Sequence, residues 1–103
     1  MPAGRTKISA YAVGSLARGL GVLATALRRF DDAERHFATA LEIERSMRAH
    51  PWIAHAQHDL ACMLLARDED GDAARARELL TEATAAYRAL GMESWAARAS
   101  RLR

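Results

Sequence analysis

The side chains of this chain best suited to chemistry sit close together: His55, His58 and Cys62. Each residue of a helix turns by about 100°, so these three would fall within about 60° of one another. Imidazoles and a thiolate are soft or borderline ligands, and the i,i+3 and i,i+4 spacings would let neighbouring pairs share a metal ion. Asp59 lies a little farther round the same helix, and His36 and His50 belong to other segments. Structural zinc sites draw ligand pairs from two separate elements, and neither CxxC nor HExxH occurs here. The expectation is therefore no bound metal and no cofactor. A Cys–His dyad is the other option, since His58 is within reach of Cys62. A helix interior supplies neither free N–H groups for an oxyanion nor a third group to orient the base. The chain is read as non-enzymatic, with a metal- or redox-responsive sensor built on His55, His58 and Cys62 as the alternative function.

Composition explains why these residues should lie on a helix. Among 103 residues Ala occurs 24 times and Arg 14 times, with only six Gly and two Pro. That bias favours long helices over short strands and turns. Apolar residues recur at helical spacing and predict an all-α fold, with helices near 8–28, 32–48, 51–66 and 73–90 and a short fifth from 95. In the first, Ile8, Ala12, Leu16, Leu20, Leu23 and Leu27 form the broad apolar face. Ala33, Phe37, Ala40, Leu41 and Met47 line the second, with Phe37 as a main plug between the two helices. Ile53, Ala56, Leu60, Ala61 and Leu64 line the third, and Ala76, Leu79, Leu80, Ala83 and Tyr87 the fourth. Asp31 with Glu34 reads as a capping box, Pro51 as a first helical residue, Gly91 as a C-terminal stop and Ser94 as a last cap. Residues 67–72, which hold four acids, are the clearest loop.

Several function classes drop out. The span 8–27 has the length of a bilayer crossing, but its Gly, Ser, Thr and Ala residues make it weakly hydrophobic and Arg18 sits in its middle. The same Arg18 splits any signal-peptide core. Residues 1–30 carry a net +5 and the remainder −3, too small an excess, with too few aromatics, for direct nucleic-acid binding. One cysteine excludes an intrachain disulfide framework, which leans toward the cytoplasm.

An internal repeat is present. Leu20-Gly21 followed by Ala33, Phe37 and Ala40 recurs as Leu60-Ala61 followed by Ala76, Leu80 and Ala83, at offsets of 40 and 43 residues. Trp52 and Trp95, also 43 apart, open the following helices and read as core residues of the repeat joint. Small residues at helix crossings account for Gly19, Gly21 and Ala24, which imitate a dinucleotide fingerprint without its strand. The pattern over about residues 14–92 resembles tetratricopeptide repeats, stretched beyond their usual length. It is similar to the extended repeats of large bacterial regulators in which an ATPase module accompanies LuxR-type or cyclase domains. No ATPase, cyclase or DNA-binding motif is present, and Ala24 stands where an aromatic is usual.

The resemblance implies a short antiparallel solenoid: a tail at 1–7, then one domain from 8 to 103 with unit one at about 8–48, unit two at about 51–90 and a partial helix at 94–103. It further implies a concave groove lined by Ser15, Arg18, Val22 and Thr25 in unit one and by His55, His58, Cys62 and Leu65 in unit two. Such a scaffold would bind a protein or peptide of a signalling or transcription-regulatory system, an acidic one where Arg18 and His58 meet an anionic group. Uncovered apolar residues round the first helix, and Trp95 and Leu102 near the end, predict a homodimer of the isolated chain through helix one or the C-terminal helix.

Overall fold

The computed structural model describes the backbone of residues 3–102 and the side chains of residues 12–102. Five helices follow in order: α1 (Ala3–Ala26), α2 (Phe30–Ser46), α3 (His50–Arg67), α4 (Asp72–Ala89) and α5 (Glu93–Leu102). No strand occurs among the described residues, in keeping with the all-α expectation. Helix α1 begins at Ala3, so residues 3–7 are helical where a tail was expected. The first two residues lie outside the described part.

The helix ends differ from the expected caps in an informative way. Asp31 is not a cap: α2 starts after Arg29, and Asp31 and Asp32 sit in its first turn, where their charge suits the positive end of the helix dipole. Ser94 likewise lies inside the first turn of α5. Pro51 opens α3 as expected. Three C-termini close with one shared motif. Arg29 N–H donates to the Ala24 carbonyl at 2.8 Å, Ala49 to Glu44 at 2.9 Å and Met92 to Tyr87 at 2.8 Å. Each motif puts one residue in the left-handed region: Arg28 at φ +59°, Arg48 at +52° and Gly91 at +75°. Only Gly91 adopts that conformation without steric penalty.

Helices α1 and α2 form one hairpin and α3 and α4 the other; α2 packs on α3, α4 on α5, and α1 also meets α3. The smallest dimension, 18 Å, leaves room for two helix layers, with α1, α3 and α5 in one and α2 and α4 in the other.

Small residues decide how α1 docks. Among its described residues the buried ones are Gly14, Ala17, Gly21 and Ala24, and this face meets α2. The face of large apolar residues expected in the core points elsewhere: Leu16, Leu20, Leu23 and Leu27 are 38–62% exposed. Ile8 lies outside the described side chains. The reason is steric. The fully buried Phe37 ring fills the space between the helices, and a methyl group on Gly21 would stand 2.7–2.9 Å from three of its carbons. Leucines on that face would hold the helices apart. Unit two repeats the arrangement with Ala61 and Leu80, both fully buried, in the places of Gly21 and Phe37.

The closeness of this contact gives a test by paired substitution. Phe37→Ala should lower stability by about 3–5 kcal/mol through the cavity it leaves. Gly21→Ala should also destabilise, by about 1–3 kcal/mol, although alanine is the better helix former. Adding Phe37→Leu to Gly21→Ala should recover part of that loss in chemical denaturation, since it copies unit two. Additive losses would mean that the two residues do not share one space.

Candidate functional site

The predicted groove residues fall into two groups around α3. Val22 and Thr25 of α1 and Cys62 of α3 come together. With Ala26, Asp59 and the edge of Phe37 they line a cavity of about 220 Å³. Thr25 Oγ1 donates to the Gly21 carbonyl at 2.8 Å. Ser15 and Leu65 stay exposed at the margins.

Arg18 and His58 do share a neighbourhood, and the anion they meet belongs to the chain itself. Arg18 Nη1 donates to Asp59 Oδ2 at 2.9 Å across the α1–α3 joint. His58 Nδ1 lies 3.4 Å from the other Asp59 oxygen. His58 is only 9% exposed, so it is an interior residue rather than a groove wall. Burial pushes the Asp59 carboxyl up, and its bonds to His58 and Arg18 outweigh that and hold it below its usual value.

Beneath this pair lies a residue absent from the expected site. Glu44 of α2 is 3% exposed, packed against Gly14, with Oε1 unpartnered among protein atoms. Arg18 Nε and His58 Nε2 are likewise buried without a partner. Burial raises the Glu44 pKa to about 7; the Arg18 charge opposes the rise and the Asp59 charge adds to it. Glu44 follows Ala33, Phe37, Ala40 and Leu41 on one helical face and stands 43 residues before Tyr87, the signal by which it could have been found.

His55 belongs to a different cluster. Its Nδ1 lies 2.7 Å from Tyr87 Oη, and its ring centre is 4.6 Å from that of Trp95 and 5.7 Å from that of Trp52. Burial lowers its pKa, aided by the Arg18 charge. Both tryptophans, expected as core, keep a large share of their surface exposed: Trp52 39% and Trp95 36%.

The metal-sensor alternative finds no support in this arrangement. His55 turns to Tyr87 and His58 to Asp59, and among the described residues no three His, Cys, Asp or Glu side chains gather as a metal ion requires. Burial and the Asp59 charge push the Cys62 thiol up, the opposite of what an activated nucleophile or redox thiol needs. Among the described residues, no helix is long and apolar enough to cross a membrane.

The second joint between units is ionic and was not foreseen. Arg67 binds both Asp72 carboxylate oxygens at 2.9 Å and reaches Glu34 at 3.0 Å, while Glu34 also accepts from Arg75 at 2.5 Å. Glu34, read as half of a capping box, instead ties α2 to the turn between α3 and α4. The bonds to Arg67 hold Asp72 down at about 2.

Glu44 makes stability depend on pH with a definite sign. The folded chain keeps its proton up to about pH 7, whereas the unfolded chain releases it near 4.5. Its contribution is therefore complete below about 4.5 and is lost as pH rises through about 7. His55 works in the opposite direction, because its folded pKa is lowered. Glu44→Gln should remove only the first contribution. The variant should melt at least about 4 °C above the unsubstituted chain at pH 8 and gain less at pH 5. An equal difference at both pH values would mean that Glu44 does not titrate in this range.

Comparison with known proteins agrees with the geometry. A family model described as Tetratricopeptide repeat matches residues 13–89, which takes in the C-terminal part of α1, all of α2, α3 and α4, and every groove residue named above. No curated protein and no solved structure matches the chain. Two stacked hairpins, one small residue per helix at each crossing and a match over most of the length lead to one assignment: the chain belongs to the tetratricopeptide repeat family.

Proposed function

We propose that this chain is a non-enzymatic interaction scaffold of a bacterial signalling or transcription-regulatory protein in the cytoplasm, holding a peptide or a neighbouring module on its concave face. Tetratricopeptide repeats generally mediate protein–protein interaction and are generally non-catalytic. The observation that carries the reading here is the cavity between α1 and α3. Its walls, Val22, Ala26, Phe37 and Cys62, are apolar, and its one charge, Asp59, is already met by Arg18. A site of this kind receives an apolar side chain, with Thr25 and Asp59 left to orient the backbone that bears it. The resemblance to extended repeats of large regulators supports the bacterial regulatory setting.

A partner recovered by the intact chain should be lost at least tenfold with Val22→Glu, which places a charge in the cavity from an exposed position and should leave the helical circular dichroism unchanged. Undiminished recovery with Val22→Glu would overturn the groove assignment.

The exposed face of α1 supports self-association of the isolated chain. Val13, Leu16, Leu20, Leu23 and Leu27 follow the alternating three- and four-residue spacing of a helix-pairing seam, and each is at least 38% exposed. Leu23→Glu should convert a dimer into a monomer in sedimentation experiments. A charge at Ala17 should unfold the chain instead, because Ala17 faces α2. A clean monomer of the unsubstituted chain at high micromolar concentration would refute the dimer.

A further inference from the structure

Helix α1 docks through small residues and covers an acid. Gly14, Ala17, Gly21 and Ala24 bring little apolar surface to the contact, whereas α4 is anchored by fully buried Leu80 and Tyr87. Leu16, Leu23 and Leu27, each more than half exposed, add little. Gly14, Gly19 and Gly21 also lower the helix's own propensity to form. Among the described residues its one ion pair is Arg18 with Asp59 of α3. Under this helix lies Glu44 of α2: a methyl group on Gly14 would stand 3.4 Å from its Cγ and 3.7 Å from its Oε2. Glu44 Oε1 and Arg18 Nε are both buried at this junction without a partner.

We infer that α1 is a proton-operated wall of the cavity between α1 and α3: it stays docked while Glu44 carries a proton and lifts away once Glu44 ionises, leaving the α3–α4 hairpin folded. Val22, Thr25 and Ala26 of that wall leave with it, so the cavity exists only in the docked state. The use of this device, control over a partner held in the cavity, rests on the scaffold reading; the movement itself does not.

The groups around Glu44 leave no place for its charge beneath a docked α1. From α1 comes Arg18, whose Nη1 is committed to Asp59 Oδ2 at 2.9 Å. From α3 comes Asp59, a like charge, with His58 against its other oxygen at 3.4 Å. His55 of the same helix turns to Tyr87 instead. On α2 itself, Glu42 and Arg45 are exposed. An ionised Glu44 would be a second carboxylate on one guanidinium, in a joint that gives its Oε1 no hydrogen bond. Lifting α1 lets water reach both Glu44 and Arg18 Nε, at the cost of one ion pair and the cover over Phe37. The docked chain keeps the Glu44 proton up to about pH 7, and an undocked chain releases it near 4.5. Between pH 6 and pH 8 the ratio of undocked to docked chain should therefore rise about tenfold.

Amide hydrogen exchange of the intact chain, resolved by helix and referred to unstructured peptides at the same pH, reads the movement directly. Protection within residues 12–26 should fall about tenfold from pH 6 to pH 8. At pH 8 it should also lie at least about tenfold below that of α4, because α1 opens while the second hairpin stays folded. Glu44→Gln, and Glu44→Leu where the amide is not tolerated, should abolish the fall with pH. Leu23→Glu, in which a second copy cannot cover α1, should retain it. Equal protection of α1 and α4 at pH 8 overturns the inference, since Glu44 would then act on global unfolding alone. A fall that persists without a titratable group at position 44, or that disappears in Leu23→Glu, overturns it as well. None of these readouts involves a partner, so failure here strikes the movement of α1 and not the scaffold reading.

Discussion

The approach of α1 to the Phe37 ring is the constraint from which the rest of the architecture follows. A fully buried aromatic ring between two helices needs a wall without side chains on the opposite helix. Gly21 supplies it, with no space for even one methyl group. Once Gly21 faces Phe37, the rotation of α1 about its axis is decided. Ala17 and Ala24 lie inward, and Gly14 comes to rest over Glu44. The same rotation sends Leu16, Leu20, Leu23 and Leu27 outward and carries Arg18 to the joint with α3. Hydrophobicity alone would have chosen the leucine face; volume overrode it, because packing density inside a protein leaves no room to hold two helices apart.

The two units show how one backbone accepts different side chains at matched positions. Gly21 with Phe37 becomes Ala61 with Leu80, a methyl gained on one side against a smaller residue on the other. Ala24 becomes Leu64, which fills the place usually held by an aromatic. Glu44 becomes Tyr87, and here the exchange has chemical consequences. Tyr87 reaches His55 and locks the aromatic cluster, whereas Glu44 keeps one buried carboxyl oxygen without a partner. A buried acid without full hydrogen bonding favours its neutral form, so the two units differ in their response to pH although their backbones correspond.

Helix number, hairpin pairing and the repeat offset were legible from periodicity, and so were Phe37, Leu60, Leu64, Leu80 and Tyr87 as buried residues. What periodicity could not convey was which of two apolar faces on α1 turns inward, since a wheel weighs Leu above Gly and contact distance reverses that order. Local capping rules misplaced Glu34 for a similar reason. Its spacing from Asp31 fits a capping box, but Arg67 and Arg75, 33 and 41 residues away, offer charge-assisted bonds that a backbone N–H does not match. Val22, Thr25 and Cys62 line one cavity because α1 packs beside α3. His55 and His58 were placed on one face of α3, as the wheel requires. Their rings part because Tyr87 and Asp59 draw them to different partners, a tertiary effect with no local signature.

One apolar core runs through all five helices. Two ionic contacts bridge the hairpins beside it: Arg18 with Asp59 joins α1 to α3, and Glu34 with Arg67 and Arg75 joins α2 to α3 and α4. Isolated exposed ion pairs contribute little to stability, but a largely buried arginine that grips a carboxylate with two bonds and holds a second acid fixes direction. The Arg67 guanidinium, gripped by Asp72, thus ties the start of α2 to the end of α3. Arg18 spans the α1–α3 joint, where Asp59 already meets its charge. By contrast, among the described residues neither Arg98 nor Arg101 of α5 forms an ion pair.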